Sequence, residues 1–310
     1  MSRHGRDSQP EHPWRPWSIR FKLNRNTGRE EKQLRADSLR VISYQLSVIR
    51  IGGKGWYNCS SEVGGHDVAA MTMDRLIDGT RRLGFELNNR QVEQFEAYYH
   101  VLVEWNKKVN LTSITAYEDV QIKHFLDSLT VTLAFRRGTN YDGLRVIDVG
   151  TGAGMPGIPL KILLPEIRLT LLEATEKKAA FLRHVIGKLG LDDVEVVSGR
   201  AEDVAHKTEH REKYDLVLSR AVAALPTLVE LTLPFCAVGG MFVAQKQAEA
   251  KPEVEQAARA VDIMGGRLRE IIDIDLPEIS GRCLVVYDKV SPTPPEYPRR
   301  PGVPAKGPIM

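Results

Sequence analysis

The chain has 310 residues, 42% of them hydrophobic and 27% charged, with a formal net charge of +3. That is the composition of a soluble globular protein with room for one large domain or two modest ones. No apolar run approaches the roughly 20 residues that cross a bilayer, and the start lacks the apolar core of a signal peptide, so the expectation is a cytoplasmic protein with no membrane partner.

Residues 1–70 carry 12 Lys and Arg against 7 Asp and Glu, and the rest of the chain 31 against 33. Any nucleic-acid site must therefore be a local patch. Pro, Arg, Gly and Trp are scattered through residues 1–70 without a helical or strand period, apart from a short apolar stretch from Val41 to Ile51. The segment ends in the flexible composition SSEVGGHD. It reads as an extension, with translation starting at Met71 or Met73, or else as a disordered arm. Asp7, Glu11, Glu30 and Glu31 argue against an organelle transit peptide. Cys59, Cys236 and Cys283 are odd in number and far apart, which suits neither disulfides nor a zinc site; no metal is expected.

Residues 71–136 read as a small helical unit. Val92, Phe95, Tyr99, Leu102 and Asn106 form a stripe at helical spacing, Asn88 and Asn89 are N-cap candidates, and Asn110-Leu111-Thr112 ends the helix. A second helix is expected from about Ala116 to Phe135. From Leu144 the rhythm becomes strand, turn, helix. The expected strands are LRVIDVG, RLTLLE, VEVVS, YDLVLS and MFVAQ, separated by helices at 156–164, 176–189, 223–234 and 252–264. Near-continuous apolar strands alternating with helices predict an α/β fold, a Rossmann-like doubly wound parallel sheet over residues 137–290. Residues 267–276 and 282–289 have no helix between them and predict an antiparallel hairpin at its C-terminal edge. The basic, Pro-rich tail 291–310 is expected to be extended.

The sharpest chemical signal is DVGTGAGMPGIP, Asp148 to Pro159, placed between a strand and a helix. Gly150, Gly152 and Gly154 let the backbone turn tightly and approach a ligand. Glu173 ends the second strand, where an acid can hold the two ribose hydroxyls of an adenosine or simply cap the next helix. Pro156 and Pro159 remove amide donors from the helix start, which disfavours a pyrophosphate. S-adenosyl-L-methionine fits better: its adenosine calls for an acid, and its amino-acid end can meet the Gly turn and Asp148. SGRAEDV lies beside the expected adenine position, where Ala201 offers backbone contacts and Glu202 or Asp203 an acceptor. Arg220 ends an apolar strand where substrate and methyl group should meet; the alternative is a structural ion pair, for example with Asp148.

Six segments in order, EWNKKVNLTSIT, HFLDSL, VIDVGTGAGMPGIPL, LLEATEKKAAFL, YDLVLSRAVAAL and YPRRPGVPAKGPI, resemble the RsmG family, also called GidB. The resemblance runs from about Met71 to the last residues. It implies a class I methyltransferase fold and transfer of a methyl group from S-adenosylmethionine to N7 of one guanine in the decoding-centre loop of 16S ribosomal RNA. It also implies cofactor contacts at Gly150, Met155, Ala201, Glu202 and Arg220, and at Glu173, Ala174 and Thr175. Two positions depart from the family pattern. Met155 stands where Leu or Phe is usual, and Gly307 where a further basic residue is usual.

Guanine N7 already carries a lone pair and loses no proton, so no general base is expected. Arg220 is read as a positioning residue, bonding guanine O6 or the cofactor carboxylate. RNA contacts, with free 16S RNA or the small ribosomal subunit as partner, are expected at Lys107, Lys108, Lys123, His124, Lys246, Arg299, Arg300 and Lys306. Three other readings compete. A small-molecule methyltransferase is opposed by the polar EWNKKVN segment and the basic tail. A dinucleotide-dependent oxidoreductase is opposed by the two prolines. A non-enzymatic RNA-binding module would need no cofactor pocket.

Overall fold

The computed structural model describes residues 72–136 and 138–310. The readings of residues 1–70, Met71 and Cys59 lie outside them.

Helix α1 (Asp74–Arg82) packs Leu76 into the core, and the Leu76 amide donates to Gln121 Oε1 at 3.2 Å. Helix α2 (Asn89–Val109) starts with a reciprocal cap. Asn88 Oδ1 accepts from the Gln91 amide at 3.0 Å, and Gln91 Oε1 accepts from the Asn88 amide at 2.9 Å. Asn88→Ala is expected to cost about 1 kcal/mol, read as a shift in the urea midpoint with unchanged slope.

The buried line of α2 is Gln91, Phe95, Tyr98 and Leu102, one position off the expected stripe at Val92 and Tyr99, which are half-buried. The polar Gln91 hides this line in the sequence. It is buried because its Nε2 donates to the carbonyls of Ile162 and Leu163 at 2.8 and 3.1 Å. Asn110 ends α2 in a left-handed conformation.

The second expected helix is one helical path with changing pitch. It runs through α3 (Tyr117–Val120), a wide π turn (Gln121–Leu126), α4 (Asp127–Leu129) and a 3-10 turn (Thr130–Ala134).

Among the described residues the sheet has seven strands: β1 (Arg145–Val149), β2 (Arg168–Glu173), β3 (Val194–Ser198), β4 (Tyr214–Arg220), β5 (Cys236–Gln247), β6 (Gly266–Asp273) and β7 (Arg282–Lys289). Their order is β3-β2-β1-β4-β5-β7-β6, with β1 to β5 parallel and β7 antiparallel to both neighbours. The expected hairpin is present and closes one edge. The helices between strands are α5 (Gly157–Leu163), α6 (Glu176–Leu189), α7 (Ala201–Val204), α8 (Leu225–Thr232) and α9 (Lys251–Ile263). β5 runs well ahead of the expected Met241–Gln245 core, because Cys236 already pairs with Tyr214 across an irregularity in β4.

Alternate strand residues serve two cores, as a period of two requires. Val146, Leu216, Leu218 and Val243 join α2, α5 and α6 on one face; Ile147, Val217 and Phe242 join α8 and α9 on the other. The N-terminal helices thus share a core with the sheet. Cys236 and Cys283 are buried free thiols, and burial pushes Cys236 up to about 12. The tail turns at 294–297 and 300–303 and ends in one helical turn, α10 (Val303–Lys306), which corrects the all-extended expectation. Gly302 enters it at φ +81°, and Pro304 sits in its first turn, where a missing amide costs nothing. Among the described residues no helix is long and apolar enough to cross a membrane.

Candidate cofactor and substrate site

The strand order reverses between β1 and β4, and the crevice at the carboxyl ends of those strands is where open α/β sheets bind ligands. Asp148, fully buried near the end of β1, organises that crevice. Its Oδ2 accepts from Thr151 Oγ1 at 2.6 Å and from the Gly157 amide at 2.9 Å, which ties the Gly turn to the start of α5. Its Oδ1 is buried and has no hydrogen-bond partner among the described residues. Burial raises the Asp148 carboxyl to about 6, against the lowering effect of the Thr151 and Gly157 bonds.

Gly150 holds φ +72°, and a Cβ there would come within 2.7 Å of Val222 Cγ2, so both conformation and space require glycine. Gly152 holds φ +60° with its outer face open. The Gly152 amide donates to Glu173 Oε2 at 3.0 Å, and Glu173 Oε1 accepts from the Thr175 amide at 2.8 Å. Glu173 is therefore buried and anchors both the Gly turn and the entry to α6 at its N-cap residue Thr175, with lone pairs left on both oxygens. Ala174 and Thr175 are exposed beside it, and Met155 is buried in the turn. Tyr98, from α2, reaches across to donate to the Ala153 carbonyl. Burial raises its phenol far above the usual range, so it stays a neutral donor.

Arg220 ends β4. Its partner is Asp127, with Nη1 to Oδ2 at 2.9 Å, and the Asp127 side chain is only 3% exposed. The ion pair that was the alternative reading of Arg220 is therefore present, with Asp127 in place of Asp148, the acid named as an example; Arg220 acts on Asp148 only through its field. Arg282 Nε approaches Asp127 Oδ1 at 3.7 Å, and Gln245 Nε2 donates to the Asp127 carbonyl at 2.5 Å and to Thr130 Oγ1 at 3.2 Å. The residue after Arg220, Ala221, is held at φ +55°, a conformation that side chains avoid. Such strain concentrates at binding sites.

The arrangement fits a nucleoside with an amino-acid end and no phosphate. The carboxylates of Asp148 and Glu173 flank an open Gly turn, Asp148 Oδ1 lacks a donor, and Pro156 caps α5. Carboxylates so placed are acceptors of the kind that an ammonium and two ribose hydroxyls would need.

The GidB family model, described as rRNA small subunit methyltransferase G, matches residues 91–276. The protein named ribosomal RNA small subunit methyltransferase G of Dehalococcoides mccartyi strain CBDB1 is 53% identical over 239 residues, 77% of this chain and 100% of that relative. The protein of the same name from Pelotomaculum thermopropionicum is 51% identical, over 76% of this chain and 98% of its own. That from Roseiflexus castenholzii is 47% identical, over 77% and 100%. This chain belongs to the GidB, or RsmG, family. It has the class I methyltransferase fold.

In this RsmG-family chain the residues marked for RNA fall into two groups. Lys107, Lys108, Arg300 and Lys306 are exposed. Lys123 is exposed but bridges Asp119 at 2.9 Å. Lys246, 15% exposed, is held by Glu253 at 2.8 Å and the Ala223 carbonyl at 3.2 Å. His124 is buried with its Nε2 2.7 Å from Thr112 Oγ1, and burial and the Arg220 charge lower it to about 4, so it brings no positive charge at neutral pH. Arg299 is bound to a buried carboxylate, Glu230. Glu202, 9% exposed, accepts the Gly302 amide of the tail at 3.0 Å. Sequence reading missed Tyr98, Asp127, Gln245, Arg211 and Glu230. Asp127 left a trace, as the one acid inside the apolar run HFLDSL.

Proposed function

We propose that this chain methylates N7 of a guanine in 16S ribosomal RNA, using S-adenosylmethionine. The observation that carries this reading is the pair of buried carboxylates, Asp148 and Glu173, set on either side of the Gly turn in a chain of the RsmG family. When bound, S-adenosylmethionine supplies an electrophilic methyl group on a sulfonium. Glu173 would hold the ribose hydroxyls. Ala201 and Glu202 or Asp203 would frame the adenine. Asp148 with Gly150 and Gly152 would take the amino-acid end, and Met155 would cover it.

Guanine N7 offers its lone pair without losing a proton, so the residues at the end of β4 need only place and dry the base. Alignment of a bound base removes the entropic part of the barrier, and excluding water strengthens every charge in the crevice. Arg220, fixed by Asp127, has guanidinium donors left for guanine O6 or a carboxylate. The substrate would be free 16S RNA or the small subunit, which places the work in the cytoplasm.

The test is incubation of residues 71–310 with tritiated S-adenosylmethionine and, separately, 16S RNA, 30S particles and 23S RNA, followed by cleavage specific for N7-methylguanine. Label at one guanine of 16S RNA supports the reading. Cofactor binding without label in any RNA sinks it. The exposed cations Arg300 and Lys306 are expected to touch phosphate. Replacing both with alanine should reduce the slope of log affinity against log salt by about 1.5, measured by filter binding of 16S RNA at several salt concentrations.

A further inference from the structure

The C-terminal tail of this chain is stitched to the two segments that follow β3 and β4. Arg211, in the β3–β4 connection, spends its guanidinium on tail carbonyls: Nη1 donates to Tyr297 at 2.8 Å, and Nη2 to Thr293 and Pro294 at 2.9 and 3.0 Å. The same Nη1 reaches the carbonyl of Ala205, just past α7, at 3.2 Å. His206 Nε2 donates to the Pro298 carbonyl at 2.8 Å.

On α8, Glu230 is fully buried, and Arg299 closes on it from backbone and side chain. The Arg299 amide and Nε meet Oε1 at 2.8 and 2.9 Å, and Nη2 meets Oε2 at 2.7 Å. Thr227 Oγ1, also on α8, donates to the Pro304 carbonyl at 3.1 Å. Between these anchors the Gly302 amide donates to Glu202 Oε1 on α7. Glu202 thus ties the tail to α7, which the functional reading sets beside the adenine. Arg300 and Lys306, on the same tail, are exposed, and neither forms an ion pair among the described residues.

We propose that the tail from Thr293 to Lys306 is a brace for the cofactor site, in which Arg299 is a positioning residue and not an RNA contact. Its grip on Glu230 holds Gly302 in place, and Gly302 sets the Glu202 carboxylate and with it the turn at Gly199 and the start of α7. Adjacent arginines then have different tasks: Arg299 faces inward and serves the cofactor, while Arg300 faces outward and serves the RNA. A carboxylate already accepting one fixed amide presents its remaining lone pairs in one orientation, so a ligand that uses them has less ordering to do on binding. The inference rests on the functional reading given above.

The test compares Arg299→Ala, Arg300→Ala and the double variant Arg299→Gln with Glu230→Gln in the full chain. The double variant guards against misfolding, because it leaves no buried charge unpaired. Three quantities are read: affinity for S-adenosylhomocysteine by calorimetry, KM for 16S RNA at saturating cofactor, and hydrogen exchange of amides 199–205. Arg299→Ala and the double variant are expected to weaken S-adenosylhomocysteine binding tenfold or more, to speed exchange in 199–205, and to leave the RNA KM within twofold. Arg300→Ala is expected to do the reverse, raising the RNA KM alone. Unchanged cofactor affinity in both Arg299 variants, with or without a raised RNA KM, overturns the brace. If the wild type itself binds no S-adenosylhomocysteine, the functional reading falls and the cofactor role of the brace with it. Exchange in 199–205 then still shows whether the tail holds that segment.

Discussion

Asp148→Asn is expected to keep or raise stability near neutral pH while weakening cofactor binding and methyl transfer by about ten- to a hundredfold, the loss of one charge-assisted hydrogen bond. The two effects come from different oxygens. An asparagine carbonyl can still accept from Thr151 Oγ1 and the Gly157 amide, so the turn stays tied to α5. The other atom becomes an NH2 where the carboxylate presents a buried, unpartnered oxygen, and a donor there repels the ammonium this site is suited to hold.

The pH dependence follows from the raised pKa. The folded chain holds a proton on Asp148 up to about pH 6, whereas the unfolded chain loses it near 3.8. This group's contribution to stability is therefore full below 3.8 and is lost as pH rises through about 6. The ionised carboxylate then costs about 3 kcal/mol at neutral pH. Urea titrations of wild type and Asp148→Asn between pH 4 and 7.5 should show wild type losing stability relative to the variant as pH rises. Calorimetry should show wild-type affinity for S-adenosylhomocysteine falling as pH drops below about 6. A variant less stable than wild type at pH 7.5 would mean that the carboxylate itself, and not its shape, holds the turn.

What made Asp148 readable in the sequence is that a Gly turn between strand and helix has few uses, and its acid is part of the pattern. β2, α6 and β7 were readable to the residue for a similar reason. Their ends are marked by a period change or by Gly190, and both faces of the sheet strands are apolar. Local pattern fails where a polar side chain is buried for a long-range partner. Gln91 lies 71 residues from the carbonyl of Ile162 that it caps, and Glu230 lies 69 residues from Arg299. Neither distance leaves a trace in composition or period. Arg299 and Arg300 likewise look alike in sequence, and only the position of Glu230, paired with Arg299, tells them apart. Asp127 and Arg220 are 93 residues apart, so the sequence could name an ion pair for Arg220 as an alternative without finding its acid.

Arg220→Ala is expected to destabilise the chain by about 3–5 kcal/mol, because it takes the partner from a buried carboxyl group, Asp127. The nearest other cation, Arg282, stands 3.7 Å away and is partly exposed, which makes it a weak substitute. Loss of activity in this variant alone would be uninformative, since unfolding produces it too. The informative variant is Arg220→Met combined with Asp127→Leu. Replacing both charges with apolar groups of similar volume restores the packing and removes the orphan, so stability is expected to return to within about 1–2 kcal/mol of wild type. Methyl transfer is expected to stay at least about a hundredfold down, because the guanidinium that would place the base is gone. His124 supplies an independent readout. The Arg220 charge is one of the two influences that depress its pKa, so the double variant should show His124 titrating above its wild-type value of about 4 in an NMR titration. Recovered stability together with recovered turnover would reduce Arg220 to a structural ion pair. Recovered stability with lost turnover would make the Asp127–Arg220 pair the part of the site that holds the substrate.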